Sequence, residues 1–358
     1  MDTRLLVPMA LLGCSLGAQQ PPARPESVRP SPIPESELVK RLTTSVDSLS
    51  KAGQFSGVVV MARNGAPIFQ HAYGMADRDR GIANHLETAF NLGSINKAFT
   101  QISILQLVAA GKLNLDSTLA KYWPDYPNNA VASKITIRQL MRHSSGIGGD
   151  IFDAPAGGKR NDIRRLSDFL PLFVNEPLKF EPGSRNAYSN AGYIVLGLLV
   201  ERLSGEDYYT YVRKNIFEPA GMTRTGSFFV DSLPPNTAIG YTRGDEDAPV
   251  TAPLRPNTRD LPGRGSSAGG GYSTAQDLLK FLQALRARRI ANGLPAGLGI
   301  AGGSGGINAV VEGDLPGGYD LVVLANLDPP AAERVARMTR EWLGVSDEVG
   351  PGVRRIRR

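Results

Sequence analysis

The stretch Gly57-Val58-Val59-Val60-Met61-Ala62-Arg63-Asn64-Gly65-Ala66-Pro67-Ile68-Phe69 reads as a β-hairpin. Its first half is a short apolar run rich in β-branched residues, the composition of a buried strand. Asn64-Gly65 follows directly, and both residues tolerate the positive φ of a two-residue hairpin turn. A second strand continues to Tyr73. The far end of the chain repeats the arrangement, with strands expected at 307–312 and 319–326 and a helix after them. Asp328 is placed to cap that helix, with Pro329 or Pro330 in its first turn. Mostly helices lie between the two ends. Residues 37–49 read as an amphipathic helix that stops before Gly53. Ile95, Ala98, Phe99, Ile102, Leu105 and Val108 recur at helical spacing from a start near Ser94, and Gly111 ends the pattern. Further helices are expected at 191–203 and 275–288. This order predicts an α/β (α+β) fold: an antiparallel sheet built from both chain ends, flanked by helices, with a helical insertion lobe. Regular alternation of strand and helix is absent, which argues against a doubly wound parallel sheet.

The chain has 358 residues, enough for about two domains or one large one at roughly 150 residues each. A chain of this size buries a full core without disulfide or metal staples. Cys14 is its single cysteine, so no internal disulfide and no cysteine metal site can form. His71, His85 and His143 are too scattered to suggest a zinc cluster. The formal charge of +6 is no sign of a nucleic-acid partner. Arg354, Arg355, Arg357 and Arg358 supply four of the six charges, and the remaining +2 is too weak for a binding face.

The N-terminus, residues 1–18, reads as an export signal. Arg4 is a positive n-region and Leu5 to Leu12 a short apolar segment, too short to span a bilayer permanently. Leu11-Leu12-Gly13-Cys14 resembles a lipoprotein box in which Cys14 would carry the lipid; cleavage after Ala18 is the alternative and would discard it. Residues 19–36 hold six prolines and read as a solvated linker. The folded body is expected at 37–345 and a basic disordered tail at 346–358. The expected location is therefore outside the cytoplasm, periplasmic or anchored in the membrane only through a lipid on Cys14.

Four serine patterns compete for the role of nucleophile. Gly265-Ser266-Ser267-Ala268-Gly269 and Gly302-Gly303-Ser304-Gly305-Gly306 both match Gly-x-Ser-x-Gly. That motif requires a histidine later in the chain, and all three histidines come earlier, so both read as glycine-rich turns. Ser-x-x-Lys occurs at Ser48–Lys51 and Ser94–Lys97. Ser48 lies near the polar end of a surface helix. Ser94 opens a strongly apolar helix, where unpaired backbone N–H groups and the positive dipole end stabilise an oxyanion. Lys97 returns to the same face one turn later, and burial would depress its pKa so that it could take the serine proton. An N-cap serine beside a solvated lysine explains the helix pattern equally well. A partner distinguishes the two. Tyr-x-Asn occurs in a Pro-rich turn, Tyr126-Pro127-Asn128, and again just before a helix, Tyr188-Ser189-Asn190. At the second place the tyrosine can relay a proton with a lysine, and the asparagine can bind a substrate amide.

Phe90-Asn91-Leu92-Gly93-Ser94-Ile95-Asn96-Lys97 resembles the nucleophile segment of the serine β-lactamase-related hydrolases. That group comprises class C β-lactamases, low-molecular-weight penicillin-binding proteins and β-lactamase-like esterases. Arg142-His143-Ser144-Ser145-Gly146 resembles a family turn, which makes His143 structural. Pro182-Gly183 through Tyr188-Ser189-Asn190 to Leu196-Gly197, and Phe217-Glu218-Pro219-Ala220-Gly221-Met222, continue the likeness, which extends from about Phe55 to Leu343. The resemblance implies a β-lactamase/DD-peptidase-like fold and acyl-enzyme formation on Ser94, with Lys97 and Tyr188 sharing the proton work. It also implies substrate binding by Asn190, Gly302, Gly303 and Ser304. The Ser94 N–H and an N–H near Gly303 would form the oxyanion hole. It implies no metal and no cofactor. The expected partner is a small ester, amide or peptide, with cell-wall contact a further expectation.

Two departures bear on the substrate. The family's third motif carries a basic or polar residue where Ile300 stands, before Ala301-Gly302-Gly303. Its loss disfavours penicillin-like acids and favours a neutral ester. The stretch between Arg288 and Gly299 is also short for the family, as if a strand or loop were trimmed. Esterase-type hydrolysis is therefore the expected activity. A β-lactamase or D-alanyl-D-alanine peptidase is one alternative, and a non-catalytic peptidoglycan- or peptide-binding protein another.

Overall fold

Val58, Val59, Val60, Met61 and Ala62 are all buried, because the sheet they join is covered on both faces. The computed structural model describes residues 33–149, 151, 160–244, 248–291 and 298–345. The expected export signal with Cys14, the linker up to residue 32, residues 292–297 and the basic tail lie outside the described residues.

Five strands form the sheet: β1 (Gly57–Arg63), β2 (Ala66–Tyr73), β3 (Gly299–Ser304), β4 (Ile307–Leu315) and β5 (Tyr319–Ala325). Their order is β2-β1-β5-β4-β3, antiparallel throughout. The central pairing of β1 with β5 joins the two chain ends, with Gly57 opposite Ala325 and Arg63 opposite Tyr319. Asn64 and Gly65 both adopt positive φ in the first hairpin, as expected of that turn.

Alternation along the strands divides the core in two. Val58, Val60, Val311, Val322 and Leu324 face the insertion lobe. There they share one apolar cluster with α2 (Asn96–Ala109), α4 (Asn190–Ser204) and α5 (Ala275–Arg286), of which α5 packs on β1 and β5. Val59, Met61, Val310, Leu321 and Val323 face the opposite way, toward Leu38, Leu42 and Val46 of α1 (Glu35–Lys51) and Val335 and Ala336 of α6 (Ala331–Trp342). A short helix, α3 (Ile137–Met141), starts with a capping box between Thr136 and Gln139.

Three local expectations are corrected. Helix α1 begins at Glu35, inside the segment read as linker, with Pro34 as its N-cap. The apolar helix does not begin at Ser94: Gly93–Ile95 form a 3-10 turn, and α2 starts at Asn96. Asp328 does not cap α6. Its carboxylate accepts from the backbone N–H groups of Arg243 and Gly306, at 2.8 and 2.7 Å. The cap comes instead from β4, where buried Asn308 accepts from the N–H groups of Ala332 and Glu333 at 2.6 and 3.2 Å. One side chain thus ties the sheet to the first turn of α6. The shortened stretch before Gly299 leaves the edge strand intact, since β3 pairs with β4 from Gly299↔Glu312 to Ser304↔Ile307.

Candidate active site

Ser94 stands in the tight turn between a two-residue strand, Phe90–Asn91, and α2. Gly93 makes that turn with φ +50, and a Cβ there would lie 2.9 Å from the Gly303 nitrogen. The turn therefore seats against the sheet edge only with glycine in place. Phe90–Asn91 pairs with Tyr272–Ser273, and the Leu92 N–H donates to Gly271 O at 2.7 Å, fixing the turn from the other side.

Lys97 lies in the first turn of α2 and is 7% exposed, which rules out the N-cap serine with a solvated lysine. The N-cap of α2 is Ile95, and Ser94 lies inside the 3-10 turn before it. The Lys97 amine donates to Ser94 Oγ at 3.1 Å, to Asn190 Oδ1 at 2.8 Å, and to the carbonyl of Ala268. All three acceptors are neutral, so no anion offsets desolvation, and burial holds the Lys97 pKa well below that of an ordinary lysine. The Tyr188 hydroxyl is 2.5 Å from Ser94 Oγ, and the amine sits 4.7 Å from the Tyr188 ring centroid and 5.5 Å from that of Tyr193.

Tyr188 and Asn190 arrive together because Ser189 is the N-cap of α4, accepting from Gly192 N–H at 3.0 Å. Tyr188 precedes the cap, and Asn190 occupies the first helical position. This two-residue spacing aims both side chains at Lys97. Gly302 and Gly303 lie on edge strand β3, against the nucleophile turn. A Cβ on Gly302 would be 2.2 Å from Leu92 O and 2.6 Å from Ser94 N. The structure therefore brings together Ser94, Lys97, Tyr188, Asn190, Gly302 and Gly303. Hydrogen bonds join the first four, Gly302 and Gly303 abut the Ser94 turn, and Ser304 ends β3 opposite Ile307.

The rejected serines have structural work. Buried Ser267 donates to Tyr193 O at 2.8 Å. Its turn nevertheless belongs to the site. The consecutive carbonyls of Ser266, Ser267 and Ala268 accept from Asn96, Thr100 and Lys97, three side chains of α2. Sequence reasoning missed this contribution, because a backbone acceptor has no residue signature. In the other Tyr-x-Asn pattern, Asn128 caps a short helix through Val131 N–H, and Tyr126 is buried. Lys51 is exposed at the end of α1, so Ser48–Lys51 is a helix terminus. Among the described residues, no group of three His, Cys, Asp or Glu side chains is arranged to hold a metal.

Fold and site together define a serine hydrolase. The Beta-lactamase family model matches residues 42–345, and the chain belongs to that family. Esterase EstB of Burkholderia gladioli is 31% identical over 343 residues, covering 87% of this chain and 86% of its own length. PbpX of Bacillus subtilis (strain 168), named as a penicillin-binding protein, is 34% identical over 231 residues, 64% of this chain; the match spans 55% of PbpX. A crystal structure of a penicillin-binding protein from Bacillus halodurans is similar with a TM-score of 0.73 at 33% identity, covering 82% of this chain and 98% of that one.

Proposed function

We propose that this serine hydrolase is an exported, esterase-type enzyme that forms an acyl-enzyme on Ser94. The observation that carries the reading is the shared contact of Ser94 Oγ with Tyr188 and Lys97, at 2.5 and 3.1 Å. Burial, which lowers the Lys97 pKa, supports a free amine. The protonated amine donates to all three acceptors; once free, it keeps two N–H groups for Asn190 Oδ1 and Ala268 O, and its lone pair accepts from the Ser94 hydroxyl across the same 3.1 Å contact. Ser94 Oγ then bonds to the substrate carbonyl carbon as its proton passes to Lys97. The resulting oxyanion is received by the N–H groups of Ser94 and Gly303, each worth about 10²- to 10³-fold in rate. Collapse breaks the bond to the leaving alkoxide, which takes the proton through Tyr188. Water attacks the acyl-enzyme by the reverse relay and releases the acid.

A neutral ester is favoured because Ile300 offers no polar group to a substrate carboxylate. Along β3 it is half-buried against the apolar core of the lobe. The 86% coverage of esterase EstB supports the same choice. Penicillin recognition is the second reading, favoured by the names of the two penicillin-binding relatives. Arg4, the apolar segment after it and the Pro-rich stretch support export, with Cys14 the place of a lipid anchor if it is kept.

The test exposes wild type and Ser94→Ala to a small activated ester and to a penicillin, reading intact mass and product release. Ser94-dependent ester turnover exceeding penicillin acylation is expected. Faster penicillin acylation would instead select the second reading. A folded wild type with neither adduct nor turnover would make the protein a binder. Ile300→His is expected to raise penicillin acylation relative to ester turnover, since it restores a polar group on β3. An unchanged ratio of the two rates would remove Ile300 from substrate selection.

A further inference from the structure

His143 sits just beyond α3, at a place where the chain has no helical reason to hold a histidine. Its backbone is left-handed, φ +56, a conformation uncommon for a residue with a Cβ. Three separate contacts from this one residue converge on Tyr188. The His143 carbonyl accepts from the N–H of Ala187, the residue before it, at 2.8 Å. The His143 Nδ1 accepts from the N–H of Ser189, the residue after it, at 3.1 Å. The imidazole face lies against the phenol ring itself, with centroids 4.6 Å apart and planes at 31°. The ring also meets Tyr193, at 5.0 Å and 30°, and Tyr193 is anchored by its hydroxyl donating to Met141 O at 3.0 Å. The imidazole thus packs against both a fixed tyrosine of α4 and the one that touches Ser94.

We propose that His143 is a positioning residue for Tyr188, setting its ring and flanking backbone so that the hydroxyl meets Ser94 Oγ. The inference rests on the proton-relay role of Tyr188 given above. The contact with Ser189 requires Nδ1 to be an acceptor, so the ring is neutral with its proton on Nε2. Burial, and secondarily the nearby Lys97, push the His143 pKa down to about 4, which keeps that acceptor available across the neutral range. The Ser94 hydroxyl is bonded to Tyr188 and Lys97, so His143 is not itself the base; it acts through Tyr188. Because a displacement of about 1 Å in a reacting group costs on the order of 10²-fold in rate, this packing has a kinetic signature.

The test compares His143→Leu, which keeps bulk and loses the acceptor, with His143→Asn, which keeps an acceptor and tolerates the left-handed backbone. Single and double variants with Tyr188→Phe are assayed on the activated ester, with thermal melts to establish folding. His143→Leu is expected to lower kcat by about 10- to 100-fold with KM changed less than about 3-fold, and His143→Asn to recover most of that loss. On the Tyr188→Phe background, His143→Leu should add less than about 3-fold, since there is no hydroxyl left to position. A folded His143→Leu with wild-type kcat would overturn the proposal. So would an undiminished effect on the Tyr188→Phe background, or equal losses in the Leu and Asn variants. If the Leu variant does not fold, the Asn variant decides by the same double-variant comparison. Wild-type kcat in Tyr188→Phe would be a different failure: it would remove Tyr188 from the relay and leave His143 nothing to position.

Discussion

Lys97→Met is expected to slow Ser94 acylation by about 10²- to 10⁴-fold, the range that a positioned general base contributes. Methionine approximates the length of the lysine stem, so the site at the start of α2 keeps its packing and loses its lone pair. Single-turnover acylation by an activated ester, followed by intact mass, measures the effect. The pH dependence has a definite sign. Only the free amine can take the serine proton, so the wild-type rate should rise with pH as Lys97 loses its proton, then level off. Because burial lowers that pKa from the ordinary 10.5, the midpoint should lie well below 10.5. Lys97→Met should lack the rising limb altogether. Equal acylation rates in variant and wild type would take Lys97 out of the base role.

The second large effect is expected from a single methyl group. Gly302→Ala places a Cβ 2.2 Å from Leu92 O and 2.6 Å from Ser94 N. Both are backbone atoms, so no side chain can rotate away. Edge strand β3 must move off the nucleophile turn, carrying the Gly303 N–H with it. Loss of one oxyanion donor costs about 10²- to 10³-fold in kcat. The same overpacking should cost about 1–3 kcal/mol of stability. Turnover of the activated ester and a denaturant melt measure the two consequences. A stable variant with wild-type kcat would show that β3 does not supply the oxyanion donor.

Features legible in the sequence were those with a local physical cause. Asn64-Gly65 announces a hairpin because its backbone preference needs no distant partner. The Ser94–Lys97 spacing is a property of one helical turn, and the Tyr188–Asn190 spacing of one N-terminus. Expectations failed where a distant group outbid a local rule. Asp328 precedes two prolines as a helix cap should, yet its carboxylate goes to the N–H groups of Gly306 and Arg243. Asn308, on another element, caps the helix instead. Ser94 looked like a helix start because the apolar period begins there. Close seating of Gly93 against Gly303 tightens that turn into a 3-10 bend. The Ala268 carbonyl and the packing of His143 around Tyr188 were not legible, since a carbonyl has no residue signature and the second joins segments far apart in sequence, with bonds to the backbone on either side of Tyr188.

The pairing of Gly57 with Ala325 also sets an order of events during biosynthesis. Strands β1 and β2 leave the ribosome early, but β5, the second neighbour of β1, is the last strand of the sheet to be made. The serine's turn is likewise translated long before β3, the strand it rests on. A nascent chain therefore holds an unpaired apolar edge through most of its synthesis, and its contacts at high sequence separation make folding slow relative to a helical bundle of similar size. Reactivity cannot be acquired piecemeal: a chain truncated before residue 299 carries Ser94, Lys97 and Tyr188 but lacks the wall that would receive the oxyanion.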